Sequence, residues 1–132
     1  MKLRLSKQQL RFRLNEADLH QLRHVGLISS STFFGPVQAQ FGIMVMPHTH
    51  DVALNYDQGY FHVTMARERM IAWIDDPTVI SLRRRIQYDD YPDVLLLLEK
   101  DLGCKHEEAV PGEDAANLYP TAPPAGEAAS DT

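Results

Sequence analysis

Leu10-Arg11-Phe12-Arg13-Leu14 and, 51 positions later, Phe61-His62-Val63-Thr64-Met65 are two alternating runs, each leading into a helical pattern. Alternation places Leu10, Phe12 and Leu14 on one side of a strand and Arg11 and Arg13 on the other, because side chains of extended chain have a period of two. After the first run, Asn15 is a good N-cap and Glu16 and Asp18 suit the positive end of a helix dipole. Arg23 and His24 suit the negative end and Gly26 a left-handed stop, so a helix spans Asn15 to Val25. After the second, Ala66, Met70, Trp73 and Ile74 form one apolar stripe that Asp75-Asp76-Pro77 interrupts.

Two strand-like runs follow each helix. Leu27 to Phe34 ends at Gly35-Pro36, and Val37 to Met46 ends at Pro47. Val79 to Ile86 carries Arg83-Arg84-Arg85, and beyond the Asp89-Asp90-Tyr91-Pro92 turn Val94 to Leu98 is apolar on both faces, as a central covered strand reads. Lys2 to Leu5 is a leading strand, and Val52 to Leu54 is a short extended piece in the His48 to Gln58 loop. The expectation is an α+β domain of two strand-helix-strand-strand units with two helices packed on a mostly antiparallel sheet, strongly curved or closed into a barrel. Chance alternation is the plainer account of the repeat. A single domain is expected over residues 1–120, with an acidic, Pro- and Ala-rich tail without fixed structure over 121–132.

A chain of 132 residues, 44% hydrophobic and 23% charged, is an ordinary size and composition for one globular domain. Its formal charge of −5 is unevenly placed: Lys105 stands against six acids from Glu107 to Asp131, so the preceding residues balance to zero. The first fourteen residues hold Lys2, Arg4, Lys7, Arg11 and Arg13 and no acid. One cysteine, Cys104, forms no intramolecular disulfide. No apolar run approaches the roughly 20 residues that span a bilayer, and no signal core precedes the first strand, so a cytoplasmic protein without membrane contact is expected. The neutral body and acidic tail argue against nucleic acid.

Three places could carry chemistry. The first is the polar side of the strands, where Arg11 and Arg13 share one side and Arg83 and Arg85 share another, with His62, Gln38 and Gln40 on polar sides of theirs. If these faces meet, several guanidinium forks suited to carboxylate or phosphate stand on a rigid sheet. A merely solvated face is the competing reading. The second is Pro47-His48-Thr49-His50-Asp51, where His48 and His50 point the same way in extended chain, though no zinc-type spacing is present. His20 and His24, one helical turn apart, also permit metal pairing but sit on a polar face. The third is Glu99-Lys100-Asp101-Leu102-Gly103-Cys104-Lys105-His106, where acids, a thiol and an imidazole follow the most apolar strand. No Gly-rich phosphate loop, serine elbow or paired-acid signature occurs.

Two segments together resemble a family of small bacterial proteins of unknown function. They are Met1-Lys2-Leu3-Arg4 with Arg11-Phe12-Arg13-Leu14, and Glu99-Lys100-Asp101-Leu102-Gly103-Cys104 with Glu113-Asp114 and Tyr119-Pro120. The resemblance covers the chain up to its last dozen residues, with Leu102 and Tyr119 where the family pattern has Phe. It implies a compact single domain without established activity, packing of the segment up to Tyr119-Pro120 onto it, and interest in Arg11, Arg13, Glu99, Lys100, Asp101, Cys104, Glu113 and Asp114.

The functional expectation is a non-enzymatic binding or accessory module. It holds an anionic small molecule or an acidic partner surface through Arg11, Arg13, Arg83, Arg85, Glu99, Lys100, Asp101 and Cys104, with no cofactor. The alternatives are an enzyme or metal-binding protein using Glu99, Asp101, Cys104 and His106, and a homodimer formed through an uncovered sheet edge or face.

Overall fold

The elements run β1 (Lys2–Ser6), β2 (Gln9–Leu14), α1 (Glu16–Val25), β3 (Leu27–Phe34), β4 (Val37–Val45), β5 (Val52–Asp57), β6 (Tyr60–Met65), α2 (Arg67–Asp75), β7 (Ser81–Tyr88) and β8 (Tyr91–Lys100). This is a computed structural model in which residues 1–103 are described, Met1–Leu102 forming one compact unit. The expectations placed on Cys104, His106, Glu113-Asp114, Tyr119-Pro120 and the tail lie outside the described residues.

Each repeat is one strand longer than its pattern in the sequence. The leading strand β1 and the extended piece that becomes β5 are equivalent, so the unit is strand-strand-helix-strand-strand, twice. One sheet has the order β1-β2-β8-β7 and the other β3-β4-β6-β5. Each therefore joins the first hairpin of one unit to the second hairpin of the other. The central pairs β2–β8 and β4–β6 are parallel, and the flanking pairs antiparallel. Equivalent backbone bonds tie the two halves. The Leu95 amide donates to the Gln8 carbonyl (2.9 Å) as Gln40 does to Gly59 (2.8 Å), and Asp101 donates to Leu14 (2.7 Å) as Met46 does to Met65 (3.0 Å).

The expected single curved sheet or closed barrel is not formed. Two mixed four-stranded sheets, with four unpaired edges among the described residues, stand in its place, and the class is mostly β. The reason lies in apolar area. The helices commit few residues to the core, Leu19 and Leu22 from α1 and Met70 and Trp73 from α2, too little to cover eight strands. The sheets cover each other instead. Leu10, Phe12, Leu14, Leu82, Leu96 and Leu98 of the first share one core with Ile28, Ile43, Val63 and Met65 of the second, and Phe12 meets Phe41 edge-on at 6.2 Å between centroids. Truncating Phe12, which has no exposed surface, costs about 3–5 kcal/mol in such a core.

Local chemistry fixes the connections. Asn15 accepts from the Asp18 amide (2.8 Å) while Asp18 accepts from the Asn15 amide (2.9 Å), a reciprocal cap, and Gly26 closes α1 at φ 82°. The α2 helix ends where Asp76 accepts from the amide and hydroxyl of Thr78 (2.9 and 2.6 Å). Arg23 and Asp75 pair across the two helices at 2.9 Å. Among the described residues no helix is long and apolar enough to cross a membrane.

Candidate functional site

Strand register decides where the arginines point. Across the first sheet, Arg4 faces Arg11, Arg11 faces Leu97, and Leu97 faces Arg83; one row away Lys2, Arg13, Glu99 and Ser81 are partners. Paired residues lie on the same face, so Lys2, Arg4, Arg11, Arg13, Arg83 and Arg85 share the outer face of this sheet, opposite Phe12 and Leu98. Neighbouring strands lie about 4.8 Å apart, which holds the forks side by side on rigid backbone. Leu97, only 3% exposed, is buried on this face beneath the arginine stems rather than in the main core.

Three carboxylates stand among them. Glu99 Oε1 lies 3.6 Å from Arg11 Nε and 3.9 Å from Arg13 Nε, Asp101 Oδ2 lies 3.7 Å from Arg13 Nη2, and Asp93 Oδ2 lies 3.8 Å from Arg85 Nη1. All four distances exceed hydrogen-bond length, so the charges are close without being bonded. Arg11 Nε and Arg13 Nε are both out of solvent contact and have no acceptor among the described residues. Among the described residues, six cations against three carboxylates give this face a net charge of +3. Guanidinium forks held side by side in this way are chemically suited to carboxylate or phosphate oxygens.

The expected residues divide. Arg11, Arg13, Arg83, Arg85, Glu99 and Asp101 come together. Lys100 does not: it is 7% exposed, its inward-facing neighbours in register are Leu14 and Leu98's side of the strand, and its Nζ donates to the Asp76 carbonyl at 2.7 Å beyond the end of α2. His62, Gln38 and Gln40 lie on the outer face of the other sheet, with Tyr60, and do not meet the arginines. Lys2 and Arg4 were absent from the expected set, although their alternation with Leu3 and Leu5 was the signal that places them there. The arginines share a face rather than a hollow. A groove of about 670 Å³ between α1 and α2 is lined by His20, His24 and Lys100, and a cleft of about 230 Å³ between the sheets by Leu5, Leu10, Tyr56 and Phe61. A third cavity lies beside Pro47 and Arg67, and none of the three is lined by Arg11, Arg13, Arg83 or Arg85.

His48 and His50 are exposed, and the acid beside them is engaged elsewhere: Asp51 accepts from Arg69 Nε (2.8 Å) and from Arg84 Nη2 (3.0 Å). The hydrogen bond from Arg84 leads the causes that hold the Asp51 carboxyl below its ordinary range, with the charges of Arg84 and Arg69 adding to it. The same bond raises Arg84. Among the described residues no three His, Cys, Asp or Glu side chains are grouped to hold a metal ion.

No curated protein and no solved structure matches this chain. A family model does, over residues 1–123, and the chain therefore belongs to a family of unknown function, DUF7009.

Proposed function

We propose that this protein is a non-enzymatic binding or accessory module of the cytoplasm that holds an acidic partner surface on the outer face of the β1-β2-β8-β7 sheet. The observation that carries this reading is the gathering of Lys2, Arg4, Arg11, Arg13, Arg83 and Arg85 on one face, with no acceptor for Arg11 Nε or Arg13 Nε among the described residues. An open face of strand-borne cations suits an extended acidic surface better than a small anion, which needs a hollow to exclude water. Glu99 and Asp101 lie beside the arginines as counter-charges, which gives the enzymatic reading little support.

The test uses fluorescently labelled poly-L-glutamate as the acidic probe and follows anisotropy at rising salt. The chain is net negative, so general attraction to a polyanion is unfavourable and a local face must supply any binding. The reading expects binding that weakens steeply with salt and falls at least roughly tenfold in Arg11→Ala/Arg13→Ala, the loss of about 1.4 kcal/mol, with the unfolding midpoint little changed. Absence of binding at low salt, or equal binding by the variant, overturns it. A thermal-shift series with inorganic phosphate and nucleotides addresses the small-anion version separately.

A further inference from the structure

Four strands of this fold have a free edge among the described residues, and three of them are defended. The β1 edge is five residues long and carries Lys2 and Arg4, while β7 carries three consecutive arginines and a register shift between Ile86 and Tyr88. The β5 edge is six residues long and ends at Asp57. Charges, short length and bulges are the devices that stop a sheet edge from accepting another strand.

The remaining edge, β3, has none of them. Leu27–Phe34 is eight residues of Leu, Ile, Ser, Thr and Phe, without a charge or a proline, and it pairs with β4 in eight unbroken steps. Its far end presents Phe33 and Phe34, exposed by 67% and 64%, and its near end Leu27, exposed by 40%. Gln21 of α1 donates to the Leu27 carbonyl at 3.2 Å and covers the start of the free side; beyond it the outward amides and carbonyls are those of an edge strand, open to another strand.

We infer that β3 is an interface at which a second copy of this chain adds antiparallel, β3 to β3, joining two four-stranded sheets into one of eight strands. Self-pairing is favoured over capture of an unrelated strand for two reasons. The strand is uncharged throughout, so no like charges oppose one another, whereas self-pairing of β1 or β7 sets arginine near arginine. A twofold pairing also uses the same edge on both copies and leaves none open, so association closes at a dimer. Residues opposite each other must share a face, which permits pairings centred on Ser30 or on Ser31. The first sets Leu27 against Phe33 of the second copy; the second sets Ser29 against Phe33 and Ile28 against Phe34. In both, the Ser31 side chains of the two copies are opposite or diagonal on the outer face.

The experiment measures mass by light scattering on a sizing column for the full chain, Ser31→Lys, Ser31→Asp and an equal mixture of the two variants. Ser31 is exposed and on the outer face, so either variant leaves the core untouched, which far-ultraviolet circular dichroism checks. The expected result is a dimer for the unmodified chain, a monomer for each variant alone, and dimers restored in the mixture as Lys meets Asp across the twofold. A monomeric unmodified chain overturns the inference and leaves the edge to some other strand. Dimers that persist in both single variants also overturn it, because the interface then lies elsewhere.

Discussion

Arg84 and Asp51 are joined at two points, Nε to Oδ2 and Nη2 to Oδ1, and the pair links the middle of β7 in one sheet to the residue just before β5 in the other. Arg84 is the middle of three arginines, and alternation turns it to the side opposite Arg83 and Arg85. It therefore serves the seam between sheets rather than the basic face. Both side chains are about a third exposed, so solvent screening limits the pair to about 1 kcal/mol. A double-mutant cycle of Asp51→Asn and Arg84→Gln should return a coupling of that size in denaturant unfolding. Asp51 is held below its unfolded value of 3.8, so the contribution is present above that pH and disappears as pH falls through the lower folded value. Asp51→Asn should accordingly flatten the acid limb of the stability profile below about pH 4, and an unchanged limb would show that the pair contributes nothing.

Lys100 provides a second check, because it separates burial from binding. Its Nζ satisfies the Asp76 carbonyl from a nearly closed site, whereas its neighbours Glu99 and Asp101 face the arginines. Lys100→Met keeps the apolar stem but removes the charged donor and leaves the Asp76 carbonyl with the Val79 amide alone (3.2 Å), at a cost of about 1–3 kcal/mol. Unfolding should register that loss while poly-L-glutamate affinity stays within about twofold, since less than 0.5 kcal/mol of binding is at stake. A large drop in affinity with intact stability would move Lys100 into the binding face.

Gly42 is constrained by its neighbours rather than by its backbone angles. A Cβ there would lie 2.9 Å from the Ile28 carbonyl oxygen, 3.0 Å from Ser29 Cβ and 3.2 Å from the Tyr60 hydroxyl. Tyr60 can rotate away, but the β3 backbone cannot without breaking its pairing with β4. Gly42→Ala should therefore destabilise by about 1–3 kcal/mol, read as a lower denaturant midpoint. A neutral effect would mean that β3 shifts freely against β4.

The arginine pairs were legible in the sequence because strand alternation is local. Arg11 with Arg13 and Arg83 with Arg85 follow from period two alone, and Asn15 as the cap of α1 from its side chain ahead of the helical pattern. That both pairs belong to one sheet was not legible. It depends on β2 lying parallel to β8, a contact between the two ends of the described chain that no local pattern encodes. The expected barrel failed for the same reason: hairpins of one unit pair with hairpins of the other, and a single alternating run is equally compatible with either arrangement. Lys100 was a different kind of miss. It shares the parity of Leu96 and Leu98, and following that parity one step further would have placed it inside.

Glu99 supplies the most discriminating prediction about the basic face. Its Oε1 approaches both Arg11 and Arg13, and its second oxygen accepts from the Ser81 hydroxyl at 3.4 Å. If the face holds an acidic partner, Glu99 competes with that partner for the same guanidinium groups, and an incoming carboxylate must displace it. Glu99→Gln keeps the shape and removes the charge, so poly-L-glutamate should bind about threefold to tenfold more tightly, a gain of up to 1.4 kcal/mol. The same substitution removes the counter-charge that Arg11 and Arg13 share, leaving Asp101 beside Arg13, so the domain should lose about 1 kcal/mol of stability. Binding and stability thus move in opposite directions for Glu99→Gln, whereas a purely structural Glu99 would lower both. Anisotropy and denaturant unfolding on the same preparation distinguish the two, and weaker binding by Glu99→Gln would remove the arginine face as the site of acidic recognition.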